Sequence, residues 1–118
     1  MNISKKMQDA FNAQIVAEMW SSNLYLQMSC WFRKEGWKGF SSWMYKQAEE
    51  ERQHAMDMAQ FVLHRGGEVI LTSIDAVKTS WTDAKEAFVD TFAHEQKVTE
   101  LINKLADVAD EKKDRASQ

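Results

Sequence analysis

The chain contains no proline in its 118 residues and only four glycines. Those two residue types punctuate strands and tight turns, so a fold of many short strands is excluded and a few long helices are expected. Nothing breaks a helix between about Ser4 and about Lys34, and Ser4 has the hydroxyl of an N-cap. Glu35-Gly36-Trp37-Lys38-Gly39 is then a short polar connection of the kind that joins antiparallel neighbours. A second helix is expected over about 40–65, stopped at Gly66-Gly67, where glycine readily takes the left-handed C-cap conformation. A third is expected over about 82–110, with Asp83 and Glu86 spaced as a capping box and a charged run, Glu111 to Arg115, beyond it. The fold class is all-α.

Composition narrows the function classes. At 44% hydrophobic and 28% charged residues the chain is ordinary globular material, and its length suits one domain over 1–118. No apolar run approaches the ~18 residues of a membrane span. The start of the chain lacks the apolar core of a secretory signal, so no membrane partner is expected and the cytoplasm is the default location. A formal charge of −3 with both signs interspersed gives no footprint for nucleic acid. The single cysteine, Cys30, cannot close an internal disulfide and is expected to be a small buried apolar residue.

Between the second and third helices, Glu68 to Trp81 has no helical spacing, and Val69-Ile70-Leu71-Thr72 reads locally as strand. About fourteen extended residues span ~45–50 Å. The second helix, about 26 residues long, measures ~39 Å. The linker can therefore travel the whole helix and return the chain to the other end of a bundle, which would make the second and third helices parallel.

Each expected helix has a carboxylate in its apolar stripe. Glu18 interrupts Phe11, Ile15, Ser22, Tyr25, Ser29 and Phe32; Glu51 interrupts Phe40, Met44, Ala48, Ala55, Met58 and Val62, with His54 three residues on and beside it. In the third helix Glu95 sits among Phe88, Phe92, Val98, Ile102, Leu105 and Ala109. Counted from the helix ends, the three glutamates fall at one height, ~17 Å along the second and third helices. Carboxylates cannot share a dry interior without protons or a cation, because desolvation and mutual repulsion cost several kcal/mol. Two glutamates and a Glu-x-x-His pair projecting into a bundle match the known carboxylate-bundle arrangement for iron or manganese.

Each element also has a plainer reading. Glu-x-x-His occurs by chance on many exposed helices, and Glu49-Glu50-Glu51 can be a solvated charge run. That reading suits Glu49, whereas Glu50 points beside the site and remains a candidate secondary iron ligand. His64 suits a helix C-terminus. His94, one position or ~100° from Glu95, is expected to face away from the site. Tyr25 can be core packing alone, yet its hydroxyl needs a partner that the carboxylates offer.

Ala17-Glu18-Met19-Trp20-Ser21-Ser22-Asn23-Leu24-Tyr25-Leu26, Glu50-Glu51-Arg52-Gln53-His54-Ala55, Arg65-Gly66-Gly67 and His94-Glu95 together resemble a prokaryotic non-haem ferritin, over about residues 3–118. The resemblance implies the first three helices of a four-helix bundle and a dinuclear ferroxidase centre. Glu18 and His54 would hold one iron, Glu51 would bridge, Glu95 would hold the second, and Glu50 and Tyr25 would stand beside them. Arg52-Gln53 occupies the stretch where the related haem-binding bacterioferritins have a methionine, so no haem is expected. The implied reaction is oxidation of Fe(II) by O₂ or peroxide with storage of the Fe(III) mineral.

The fourth helix of ferritins has no counterpart before Gln118. An open groove over Phe88, Phe92, Ile102 and Leu105 is therefore expected, and the family's closed 24-subunit shell is not a firm expectation. A homo-oligomer is expected all the same, with Trp20, Leu24 and Trp31 as a second apolar surface of the first helix suited to the family's antiparallel dimer. The competing function is that of a truncated or engineered subunit that builds an assembly with little or no catalysis.

Overall fold

The computed structural model of the chain describes residues 2–112, and the side chains at 102 and 109–112 lie outside that description. The described residues form three helices, α1 Lys5–Lys34, α2 Lys38–His64 and α3 Ala84–Lys112, each within a few residues of the sequence expectation. Ser4 caps α1 as expected, its Oγ accepting from the Met7 amide at 3.2 Å. The two sharp stops are at glycines with positive φ, Gly36 at 90° and Gly66 at 76°, where a side chain would be strained. After Gly66 the Gly67 amide donates back to the Val62 carbonyl at 2.9 Å, which satisfies one of the orphan carbonyls of the last turn of α2.

Side-chain pairings fix the register. Phe11 meets Phe61 with ring centroids 4.9 Å apart, Ser29 and Ser41 exchange hydroxyl-to-carbonyl hydrogen bonds of 2.7 Å, and Phe32 meets Phe40 at 5.5 Å. As α1 rises α2 falls, so the two are antiparallel. Thr91 lies on Met28 and Phe88 on Phe32, so α3 also descends along α1 and runs parallel to α2. The crossover makes this possible. Residues 67–81 cross from one end to the other without helix or strand, so the strand-like 69–72 form no strand.

Side chains of α1 hold the crossover. Asn12 donates to the Glu68 carbonyl at 2.9 Å and accepts from the Ile70 amide at 3.0 Å, while the Gln8 carbonyl oxygen accepts from the Glu68 amide at 2.9 Å. Further along, Trp31 and Trp81 pack edge to face at 5.6 Å, and the Trp20 indole donates to the Ala76 carbonyl at 3.4 Å. This corrects one expectation: Leu24 and Trp31 are buried in the main core with Trp20 against it, covered by the crossover and α3. Leu24 and Trp31 are therefore not an exposed apolar surface of the first helix, while Trp20 is half-buried. Cys30 is also corrected, being exposed on the outer side of α1.

The third helix is turned one position from its expected orientation. Ala87 and Thr91 are buried and His94, Val98, Leu101, Leu105 and Val108 half-buried, whereas Phe92 is 68% exposed. The reason is geometric: α3 packs mainly on α1, and the Phe88-Phe92-Glu95 flank faces the open side between α2 and α3. Phe88 is partly covered at one end by Phe32 and Phe40, the latter at 4.8 Å. The expected stripe members Ile102 and Ala109, and the tail 113–118, lie outside the described side chains.

Candidate metal centre

The antiparallel register of α1 and α2 brings Glu18 opposite Glu51, and one turn of α2 places His54 beside Glu51. His54 Nδ1 lies 3.8 Å from Glu18 Oε2 and 3.7 Å from Glu51 Oε2. One ligand atom from each of the three residues falls within 4.8 Å of the others. Both Oε2 atoms are buried and have no hydrogen-bond partner, a costly state for carboxylate oxygens unless something else binds them. The side chains of Glu18 and Glu51 are 2% and 9% exposed, and that of His54 is 56% exposed, so the imidazole is the solvent-facing corner. Burial, and next the Glu18 carboxylate beside it, push the Glu51 carboxyl up to about 9.

Glu95 is brought near but not into this group. It is exposed on the flank of α3, and it accepts a hydrogen bond from the hydroxyl of fully buried Tyr25. The expectation that every helix buries its carboxylate therefore holds for α1 and α2 and fails for α3. Burial, then this hydrogen bond to Glu95, raise the Tyr25 hydroxyl far above its ordinary range, so it stays protonated as a donor. Glu50 is exposed and outside the three-residue group, although its charge adds to the upward push on Glu51. Glu49 is exposed as expected, and so is His64 in the last turn of α2.

His94 turns away from the carboxylates, but toward protein. Its Nε2 lies 2.7 Å from Ser21 Oγ, its ring packs on Trp20 and Tyr25, and burial lowers its basicity. Sequence reasoning missed a second buried group: Gln14 donates from Nε2 to Glu18 Oε1 at 3.0 Å. The signal was its spacing, one turn before Glu18 on the same face. The donor set of two carboxylates and an imidazole is right for a hard or borderline divalent ion such as Fe(II), Mn(II) or Zn(II).

Residues 8–118 match the family model of the Ferritin-like domain. The chain belongs to the ferritin family. It is 49% identical over 116 residues to a bacterial non-heme ferritin of Bacteroides fragilis, covering 98% of this chain and 73% of the relative. A bacterial non-heme ferritin of Staphylococcus saprophyticus is 32% identical over 115 residues, covering 98% of this chain and 69% of the relative. Among solved structures, a closed form of the Archaeoglobus fulgidus ferritin, engineered by site-directed mutagenesis, superposes with TM-score 0.95 at 43% identity, over 98% of this chain and 71% of the other. The open pore ferritin of the same archaeon gives 0.94 at 43% identity with the same coverage. The chain is thus a ferritin-like helical bundle of the prokaryotic non-haem type, and the function class that accompanies this ferritin family is iron storage. No described helix of this ferritin is long and apolar enough to cross a membrane.

Proposed function

We propose that this protein oxidises Fe(II) as its storage substrate at a dinuclear centre whose tighter half is Glu18, Glu51 and His54. The observation that carries the reading is the pair of buried, unpartnered oxygens of Glu18 and Glu51 beside a solvent-facing imidazole. Incoming Fe(II) reaches His54 first, loses water, and exchanges it for two carboxylate oxygens whose burial penalty the ion relieves. Glu51 is the bridging ligand, the role that the resemblance to non-haem ferritins implies for it, and it belongs to the group with Glu18 and His54. Glu95 is the protein ligand of the second iron. Tyr25 orients Glu95 through its hydroxyl, and Glu50 draws cations toward the opening.

Each Fe(II) gives one electron. Two ions therefore suffice to reduce O₂ to peroxide with uptake of two protons, or peroxide to two waters with two more protons. Hydrolysis of water by the Fe(III) product, as the mineral forms, is what releases protons. Haem has no part in this chemistry, and the protein works in the cytoplasm as a homo-oligomer. The assembly reading is favoured by one observation alone, the exposed position of Glu95, which leaves the second iron few ligands. Aerobic Fe(II) addition tests the choice. Ferric absorbance should grow faster with the protein than in buffer and faster than with Glu51→Ala; equal rates would leave only assembly.

A further inference from the structure

We propose that Gln14 is a positioning residue for metal uptake, acting through Glu18 and resting on the metal-centre reading above. Gln14 and Glu18 are one turn apart on α1 and are 5% and 2% exposed. The Gln14 amide nitrogen donates to Oε1 of Glu18 at 3.0 Å, whereas Oε2 is buried, has no hydrogen-bond partner, and lies 3.8 Å from His54 Nδ1. The two oxygens of one carboxylate therefore have different roles: Oε1 is held by the amide and Oε2 is left for the ion.

The terminal torsion of a glutamate is soft, with broad wells. Only contacts can fix the plane of the carboxylate, and in a buried site a free carboxylate turns toward whatever donor it finds. Gln14 removes that freedom before any ion arrives and keeps one oxygen facing Glu51 and His54. It also occupies Oε1, so Glu18 ligates through a single oxygen. Partners that orient a ligand in this way typically contribute 10–100-fold to metal affinity.

The test compares Zn(II) binding, by calorimetry, to the wild-type protein, Gln14→Met and Gln14→Leu. Methionine keeps the length of the side chain without a donor, and leucine keeps much of its bulk without one. Both should bind Zn(II) about 10–100-fold more weakly, and the visible spectrum of bound Co(II) should change as Glu18 loses its fixed orientation. Ile15→Val, a buried apolar trim at the next position, should lower the melting temperature and leave the affinity unchanged, which separates orientation from loosened packing. A crystal structure of metal-free Gln14→Met should show the Glu18 carboxylate rotated, with Oε2 turned out of the group. Wild-type affinity in both variants, or an unmoved Glu18 carboxylate, would overturn the inference. If the wild-type protein itself takes up no Zn(II), the metal centre is refuted and the inference falls with it.

Discussion

Glu51→Gln should make the metal-free protein more stable and the metal-loaded one less so. In the metal-free fold the Glu51 carboxyl titrates at about 9 instead of 4.5, because burial and the Glu18 carboxylate oppose its charge. A raised carboxyl means that the folded state holds a proton which the unfolded chain has already lost. The contribution is fully favourable below about 4.5 and is lost as pH climbs through the window from about 4.5 to about 9. At ~1.4 kcal/mol per pH unit the whole window corresponds to ~6 kcal/mol. Water reaching the open side near His54, and a proton shared with Glu18, reduce this to ~2 kcal/mol. Glutamine carries no charge to desolvate, although its amide left unpaired costs ~1 kcal/mol.

Thermal melts followed by circular dichroism check both halves. At pH 8.5 the metal-free variant should melt ~4–8 °C above the wild-type protein, and at pH 5 it should melt level with it or slightly below. With Zn(II) at a hundred times its dissociation constant the wild-type protein should gain ~2.7 kcal/mol, and the variant should gain little. A variant that is equally destabilised at both pH values, or that keeps the full Zn(II) gain, would refute the reasoning.

Three further outcomes follow from the same geometry. Calorimetric titration with Zn(II) should show one tight site per chain and at most a weak second, since Glu95 stands outside the buried group; two equivalent tight sites would mean that further ligands complete the second position. His54→Ala should weaken mainly the first ion and Glu95→Ala mainly the second, and loss of both ions in the Glu95 variant, read by metal analysis of gel-filtered protein, would count against these roles. Gly66→Ala should lower stability by ~1–2 kcal/mol in chemical denaturation, because φ at Gly66 is +76° and a new Cβ would lie 2.6 Å from Asn2 Oδ1.

What could be read in the sequence followed from large or singular residues. The missing prolines, the hydroxyl of Ser4 and the glycine at 66 mark the helices because each has a local physical cause. The stripes of α1 and α2 put Glu18 and Glu51 on the buried side, as the structure has them, since big apolar neighbours such as Phe32 and Met44 define that side. The stripe of α3 misled because Phe88 and Phe92 outweigh Ala87, Thr91 and His94 in any apolar pattern, yet the smaller residues are the ones that fit against α1. Trp20, Leu24 and Trp31 looked free because a crossover without periodicity gives no sign of where Trp81 and Val77 will land. Gln14 escaped because a neutral amide in an apolar stripe draws less notice than a charge, although its spacing from Glu18 was in plain view.

Anomalous diffraction from crystals soaked in Fe(II) under anaerobic conditions addresses the metal centre most directly, since it locates iron without depending on turnover. The strongest peak should lie among Glu18, Glu51 and His54, within bonding distance of the two carboxylate oxygens that otherwise lack partners, with a weaker peak or none beside Glu95. Iron bound only at exposed carboxylates such as Glu49 and Glu50, with the buried group empty, would contradict the assignment.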